Sequence, residues 1–331
     1  MPQTRRFSHA LAIAASLALA ACGSSESPSA TPDDTGTDTT LPARERLSVA
    51  VAFFPIEDIV RSVGGDAVEI VRLVEPGMPA HDAELTASQL NALSEADAVF
   101  YFGEDFQPAV ESAIAQLPAR VKAVDLYSAD GVTHLAADTT KKDDHGHDHD
   151  HGHDHGGEDP HVWLDPANME AMARAVSAVL SDLLPDARET IASNATSYTS
   201  DLAALGTRID TAFATCASRT LVTAHDAFGH LARRAKFDSA SITGVNPQDQ
   251  PSAKELEAIA KTAREARVET VFFESALPAD LTRTVADAIG ASVDMLDTIE
   301  SVSRDALDSG ATYASIMADN IAKIARGLDC S

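Results

Sequence analysis

From Leu47 onward the chain alternates between two hydrophobic patterns. Short, nearly unbroken apolar runs at residues 47–53 (LSVAVAF), 68–74 (VEIVRLV), 98–102 (AVFYF) and 121–126 (VKAVDL) read as strands. Between them, residues 56–63, 85–95 and 107–116 space their apolar positions three and four apart, which predicts amphipathic helices. The second half repeats the scheme. Strands are expected at 220–224, 240–243, 270–274 and 292–296, and helices at 228–236, 253–267, 281–289 and 313–328, with Gly290 placed to cap its helix. A strand–helix alternation of this kind predicts parallel sheets covered by helices. Residues 168–184 and 186–216 carry helical patterns only, separated by Pro185, which the first turn of a helix tolerates. The fold expected is α/β: two lobes, each a four-stranded parallel sheet flanked by helices, joined by one long rigid helix. Residues 47–185 form the first lobe, 186–216 the linker helix and 217–331 the second lobe.

Composition narrows the setting. The 331 residues carry a formal charge of −26, so phosphate backbones repel the chain and nucleic acid is excluded as a partner. Apolar residues make up 44% but aromatics only 5%, which fits a helix-rich core packed by Ala, Leu and Val. The first 21 residues read as an export signal. Arg5 and Arg6 precede a charge-free apolar run at 10–21 that is shorter than the roughly 20 residues a bilayer span needs. The run ends in Leu19-Ala20-Ala21-Cys22, which resembles the bacterial lipobox, with Cys22 as the lipid attachment point; an ordinary signal peptide is the alternative. Residues 22–46, rich in Ser, Thr, Pro and Asp, read as a flexible tether. With Cys22 lipidated, Cys216 and Cys330 remain, and in an oxidising compartment they read as one disulfide, two buried thiols being the alternative.

Two groups of histidines stand out. Residues 128–159 form a loop too long for a compact domain without a purpose of its own. Its stretch 140–159 holds His145, His147, His149, His151, His153 and His155 at alternate positions among Asp and Gly, a candidate secondary metal loop. The other group is spread out. His81 (EPGMPAHDAEL), His161 (DPHVWLDP), His225 (VTAHDAFGH) and Asp297 (DMLDTIES) all fall where strands end and connections begin, at the carboxyl edges where open α/β sheets bind ligands. Three neutral imidazoles and one carboxylate suit a tetrahedral divalent metal. Singly each has a plain reading: His81-Asp82 and His225-Asp226 as surface or capping pairs, Asp297 as a turn cap. His134 and His230 read as surface or structural residues.

The segments EPGMPAHDAELTASQL, the His-rich run leading into DPHVWLDP, LVTAHDAFGHLARRAKF, TVFFESALPADL and the tail GATYASIMADNIAKIARGLD together resemble the zinc-binding solute-binding proteins of bacterial metal ABC transporters, the ZnuA-like group of cluster A-I. The resemblance implies two α/β lobes bridged by a rigid helix and Zn2+ bound by His81, His161 and His225 with a fourth carboxylate matching Asp297, a position where some zinc members use water or another carboxylate. It also implies a partner in the ABC permease membrane subunit. The chain departs from the family in two places. Asp82-Ala83-Glu84-Leu85 keeps the family's Glu but lacks its Pro, and His230 stands where a Tyr or Phe is usual and reads as a surface variant.

The function expected is a monomeric, lipid-anchored, extracytoplasmic carrier that captures Zn2+ between its lobes and delivers it to a permease, releasing it through small loop shifts. The nearest rival is a manganese or iron carrier of the same class, whose members place Glu where His225 stands. A surface zinc-storage protein or adhesin built on the His-rich loop is another. A zinc hydrolase finds no HExxH-type pair, and four protein ligands leave no open coordination position.

Overall fold

A computed structural model describes residues 46–136, 158–245, 247, 250–274 and 279–331. The export signal, Cys22, residues 23–45 and the six histidines of the long loop lie outside the described residues. The first sheet contains β1 (Leu47–Val51), β2 (Val68–Arg72), β3 (Ala98–Tyr101) and β4 (Lys122–Asp125) in the order β2-β1-β3-β4, all parallel. Val49 on the central strand pairs with Ile70 on one side and Ala98 on the other. Helices α1 (Phe54–Gly64), α2 (Ala87–Glu95) and α3 (Pro108–Ile114) make the crossovers. The second sheet repeats the arrangement as β6-β5-β7-β8, again parallel, with β5 (Thr220–Thr223), β6 (Asp238–Ser241), β7 (Thr270–Glu274) and β8 (Ser292–Leu296). Its helices are α6 (Gly229–Ala235), α7 (Ala253–Glu265), α8 (Asp280–Ile289), α9 (Arg304–Asp308) and α10 (Tyr313–Gly327).

Between the sheets lie α4 (Pro166–Leu183) and α5 (Arg188–Ala212). Asp165 caps α4, accepting the Ala167 N–H at 3.0 Å, with Pro166 at the first helical position. The linker helix is shorter than its pattern suggested. Pro185–Ala187 form a separate 3-10 turn, and the chain leaves the helix at Phe213 to pair near Cys216. The 25 residues of α5 span about 37 Å. Two other details differ from the expectation. β6 begins two residues early because Lys236 ends α6 in the left-handed region (φ 58°) and the Asp238 N–H bonds Arg219 O at 2.6 Å, starting the ladder there. Helix α9, five residues capped by Ser303, is too short to show a period. Gly290 adopts φ 75° and closes α8, its N–H bonding Ala286 O, as placed from sequence.

The main apolar core is continuous from the first lobe into the second. It runs from Val49, Val51 and Phe100 through Ile191, Leu202 and Ile209 of α5 to Tyr313, Met317 and Ile324 of α10. A smaller cluster around Val222, Val271 and Val285 lies beneath α7 and α8. Helix α5 packs on α1 and α4 and also on α6 and α10. Each fully buried large apolar side chain contributes about 1.5–3 kcal/mol, so parting the lobes along this seam would cost several such amounts. Polar bonds cross the same seam. Asp58 of α1 accepts from the Tyr198 hydroxyl of α5 at 2.7 Å and the Tyr313 N–H of α10 at 3.1 Å, and the Tyr313 hydroxyl donates to Trp163 O at 2.6 Å. Burial pushes the Tyr198 and Tyr313 phenols well above their usual range, which keeps both as donors.

Cys216 and Cys330 form a disulfide across a separation of 114 residues. The bonds Ala217 N–H to Asp329 O (3.0 Å) and Ser331 N–H to Thr215 O (2.9 Å) flank it. The bridge ties the end of α10 to the segment after α5. Replacing both cysteines by Ser is expected to lower the free energy of unfolding by about 2–4 kcal/mol, read from urea denaturation without reductant. An unchanged urea midpoint would show that the bridge adds nothing to the stability of the packed helices.

Candidate metal centre

Four connections at the carboxyl edges of the two sheets converge at the junction of the lobes. The loop after β2 carries His81. Its preceding residue is fixed by the buried Gln107, whose Nε2 donates to Ala80 O at 2.9 Å, and its ring packs edge-on against Phe106 at 4.7 Å. His161 precedes a 3-10 turn, Val162–Leu164. Asp159 turns back to hold it, one oxygen accepting the backbone N–H at 3.0 Å and facing Nδ1 at 2.7 Å. His225 follows β5. Glu274, the last residue of β7, accepts its backbone N–H at 3.0 Å and pairs with its Nδ1. Glu300 lies beyond β8.

With Nδ1 of His161 and of His225 engaged outward, both Nε2 atoms face inward, 3.3 Å apart. Glu300 completes the group. Its oxygens lie 3.3 Å from His81 Nε2, 3.7 Å from His225 Nε2 and 3.9 Å from His161 Nε2. One ligand atom from each of the four residues lies within 4.8 Å of every other. A tetrahedron with ligands about 2.0–2.1 Å from its centre has edges of about 3.3–3.4 Å; the His161–His225 and His81–Glu300 separations already match such an edge, and the wider ones close in when a zinc ion is seated. The donors are shielded: His161 is 0% exposed, His225 1%, Glu300 7% and His81 9%. Phe53, Phe102, Phe106 and Trp163 stack beneath them, with centroids 5.0–5.9 Å apart.

Of the four residues expected from sequence, the structure brings His81, His161 and His225 together. Asp297 lies outside the group. Its carboxylate accepts the Ile299 N–H at 2.7 Å, and Asn320 of α10 brackets its backbone, accepting from Asp297 N at 3.0 Å and donating to Asp297 O at 2.6 Å. Asp297 therefore closes the turn that delivers Glu300 into the carboxylate position. Within that turn the buried Ile299 takes φ 67°, a left-handed conformation that costs a β-branched residue on the order of 1–3 kcal/mol. His230, read as a surface variant, is fully buried. Its Nε2 lies 3.4 Å from Asp159 O and its Nδ1 3.5 Å from Asn168 Nδ2, so it backs the residue that orients His161. His134 is half-buried beside Tyr127 and Glu158, apart from the ligand group. Asp159, Glu274 and Glu300 were missed. All three stand in quoted motifs, DPHVWLDP, TVFFES and DMLDTIES, where an acid beside a histidine motif, at a strand's carboxyl end or on the turn after Asp297 was the available signal.

Electrostatics divide the imidazoles. Burial, with the neighbouring His225, holds His161 well below the ordinary histidine range, so it is neutral. Burial also disfavours charge on His225, but Glu274 outweighs it and raises His225 to about 9. Burial raises Asp159 to about 6 against the pull of His230. Behind the site Asp165 accepts from Arg234 at 3.1 Å and Arg233 at 3.3 Å, and Arg234 reaches Asp210 at 3.2 Å, pinning α6 to the start of α4.

Two parallel α/β lobes sharing a core, with a buried His3Glu group at the junction of their carboxyl edges, define a metal-binding receptor of the two-lobed kind. The chain belongs to the ZnuA family, the periplasmic zinc-uptake complex component A, whose sequence model matches residues 49–327. Among characterised relatives it is 26% identical to the zinc-binding lipoprotein AdcA of Streptococcus pneumoniae over 86% of its length. It spans only 56% of that longer protein. It is 29% identical to a putative metal-binding protein of Treponema pallidum, covering 85% of this chain and 87% of the relative. The crystal structure of ZnuA superposes with a TM-score of 0.72 at 26% identity, covering 86% of this chain and 99% of that one. The Zn(II)-bound ZnuA-like domain of S. pneumoniae AdcA shares the fold, with a TM-score of 0.70 at 24% identity over 86% of this chain and 99% of that one.

Because His225 holds a proton up to about 9, a metal ion at Nε2 must displace it. Zinc affinity is expected to rise about tenfold per pH unit through neutrality and level off near that value, a higher limit than an ordinary histidine near 6.5 would give. Calorimetry at pH 7.5 in two buffers of different ionisation enthalpy should register about one proton released per zinc. Zero release would contradict the raised state of His225.

Proposed function

We propose that this protein is the extracytoplasmic zinc-binding component of an ABC importer, taking up Zn2+ at the lobe junction and delivering it to a permease membrane subunit. The observation that carries the reading is the convergence of His81, His161, His225 and Glu300 within 4.8 Å. Three imidazole nitrogens and one carboxylate match the tetrahedral preference of zinc. Manganese, which favours octahedral oxygen-rich sites and stands low in the divalent affinity order, is disfavoured twice. Four protein ligands close the shell, which suits carriage of the ion rather than hydrolysis.

The rest of the reading follows from the sequence. Residues 1–21 direct export, and Cys22 carries the lipid that anchors a monomer to the membrane through the 22–46 tether. Among the described residues no helix is long and apolar enough to cross a membrane. Residues 47–185 and 217–331 act as the two lobes and 186–216 as the connection between them. The loop histidines, His145 to His155, collect further zinc weakly, because alternate histidines among Asp and Gly must lose conformational entropy to gather round an ion.

Substituting Ala for His81, His161 or His225 is expected to weaken zinc binding at least a hundredfold, measured by chelator competition. His225→Glu should narrow the preference for zinc over manganese. Equal affinity of the parent for the two metals would overturn the zinc assignment. Deleting residues 143–157 should lower the zinc stoichiometry and leave one tight site. Loss of all tight binding in that deletion would move the principal site to the loop.

A further inference from the structure

We infer that Trp163 is a positioning residue for the carboxylate ligand, holding through its indole N–H the strained turn that presents Glu300 to the metal. The inference rests on the reading of the His3Glu group as a metal site. Trp163 is fully buried and stands two residues after His161, on the same 3-10 turn of the first-lobe side. Its Nε1 donates to the carbonyl of Thr298 at 2.7 Å, a residue of the second lobe two positions before Glu300. Ile299, between them, is the residue at φ 67°. Such a conformation persists only when its surroundings over-determine it. Here the bonds come from three sides: Asp297 takes the Ile299 N–H, Asn320 clamps the Asp297 backbone from α10, and Trp163 takes the Thr298 carbonyl. The Asp297 and Asn320 bonds arise within the second lobe. The indole bond alone of these crosses to the segment carrying His161, so it sets the separation between two ligands contributed by different lobes.

The same geometry says what the bond's loss would do. Thr298 is buried, and its carbonyl without the indole would lack this partner in a dry environment. The turn would relax toward an ordinary backbone conformation at Ile299, and Glu300, next in the chain, would swing with it. The site would then hold three imidazoles and an open fourth position that water can fill. Trp163 thereby acts on the number of protein ligands without touching the ion. Partners of this kind, placed behind the ligands, affect metal affinity by about 10–100-fold.

The test is a pair of double-mutant cycles on the full chain, with zinc affinity measured by chelator competition and the ligand field read from the absorption spectrum of the cobalt(II)-loaded protein. Trp163→Phe keeps an aromatic ring among Phe53, Phe102 and Phe106 and removes the donor. Asp297→Ala, at a partly exposed position, loosens the same turn from the other end and guards against a Trp163 variant that fails to fold. Each is expected to weaken zinc about 10–100-fold, and each should have less than about a threefold effect in a Glu300→Gln background. The cobalt spectra of Trp163→Phe and Glu300→Gln should coincide and differ from the parent. Equal losses in both backgrounds, or parental affinity in both turn variants while Glu300→Gln weakens binding, would overturn the inference and leave the metal site standing. Parental affinity in Glu300→Gln and in His225→Ala together would overturn the site reading and this inference with it.

Discussion

Four side chains from connections as distant in sequence as residues 81 and 300 must place their ligand atoms within 4.8 Å of one another. That is possible only if two sheets, built from different halves of the chain, keep their carboxyl edges in fixed register. The shared apolar core and the 25 residues of α5 supply the stiffness. The Asp58–Tyr198–Tyr313 bonds and the Asp165–Arg234 pair fix the remaining freedom with directional contacts across the seam. A core that runs through the joint resists parting at every buried side chain, so wide hinge opening is a poor candidate for how the site admits an ion. Short connections, held by a few hydrogen bonds each, are the elements free to move.

Gathering the ligands also concentrates ionisable groups where water is excluded, and each needs a partner to be tolerated. The outer nitrogens meet that need. Asp159 and Glu274 accept from the Nδ1 side of His161 and His225, fixing the tautomer and the direction of the inner lone pairs. His230 occupies the space behind Asp159, where a phenyl ring would fill volume without offering a polar atom to the aspartate's carbonyl. Glu274 holds the proton on His225, which offsets part of the negative charge gathered around the site when no cation is bound.

The lobes and the order of strands and helices were legible in the sequence because they depend on local signals, whereas His81, His161 and His225 stood out only jointly, through their placement in connections and the resemblance of their motifs to a known family. Buried parallel strands are uninterrupted apolar runs, and helices show their period. The carboxylate was not legible. Asp297 is the first acid beyond β8 and held the expected position on the edge, but a turn reversed the geometry three residues later. That turn is made by an isoleucine in a conformation isoleucine avoids, stabilised by Asn320 and Trp163, which are remote in sequence. No periodicity or propensity signals a left-handed Ile. His230 was misread for a related reason. It follows a glycine in the first turn of a helix too short to show a period, whereas the packing of α6 against the His161 turn puts it inside.

The low exposure of the four ligands bears on time as well as affinity. Among the described residues, what little solvent reaches the group does so at His81 and Glu300, while His161 and His225 are buried. An ion held there cannot be stripped one ligand at a time by water or a competing chelator approaching from all sides. Among the described segments, displacement of the 73–86 loop or the 297–300 turn opens the more exposed side of the group, so the dwell time of the ion depends on how often they open. Two variants with the same equilibrium constant could then differ widely in how quickly they yield their cargo. A receiving surface that engages either segment would set the pace of unloading without altering a single metal–ligand bond.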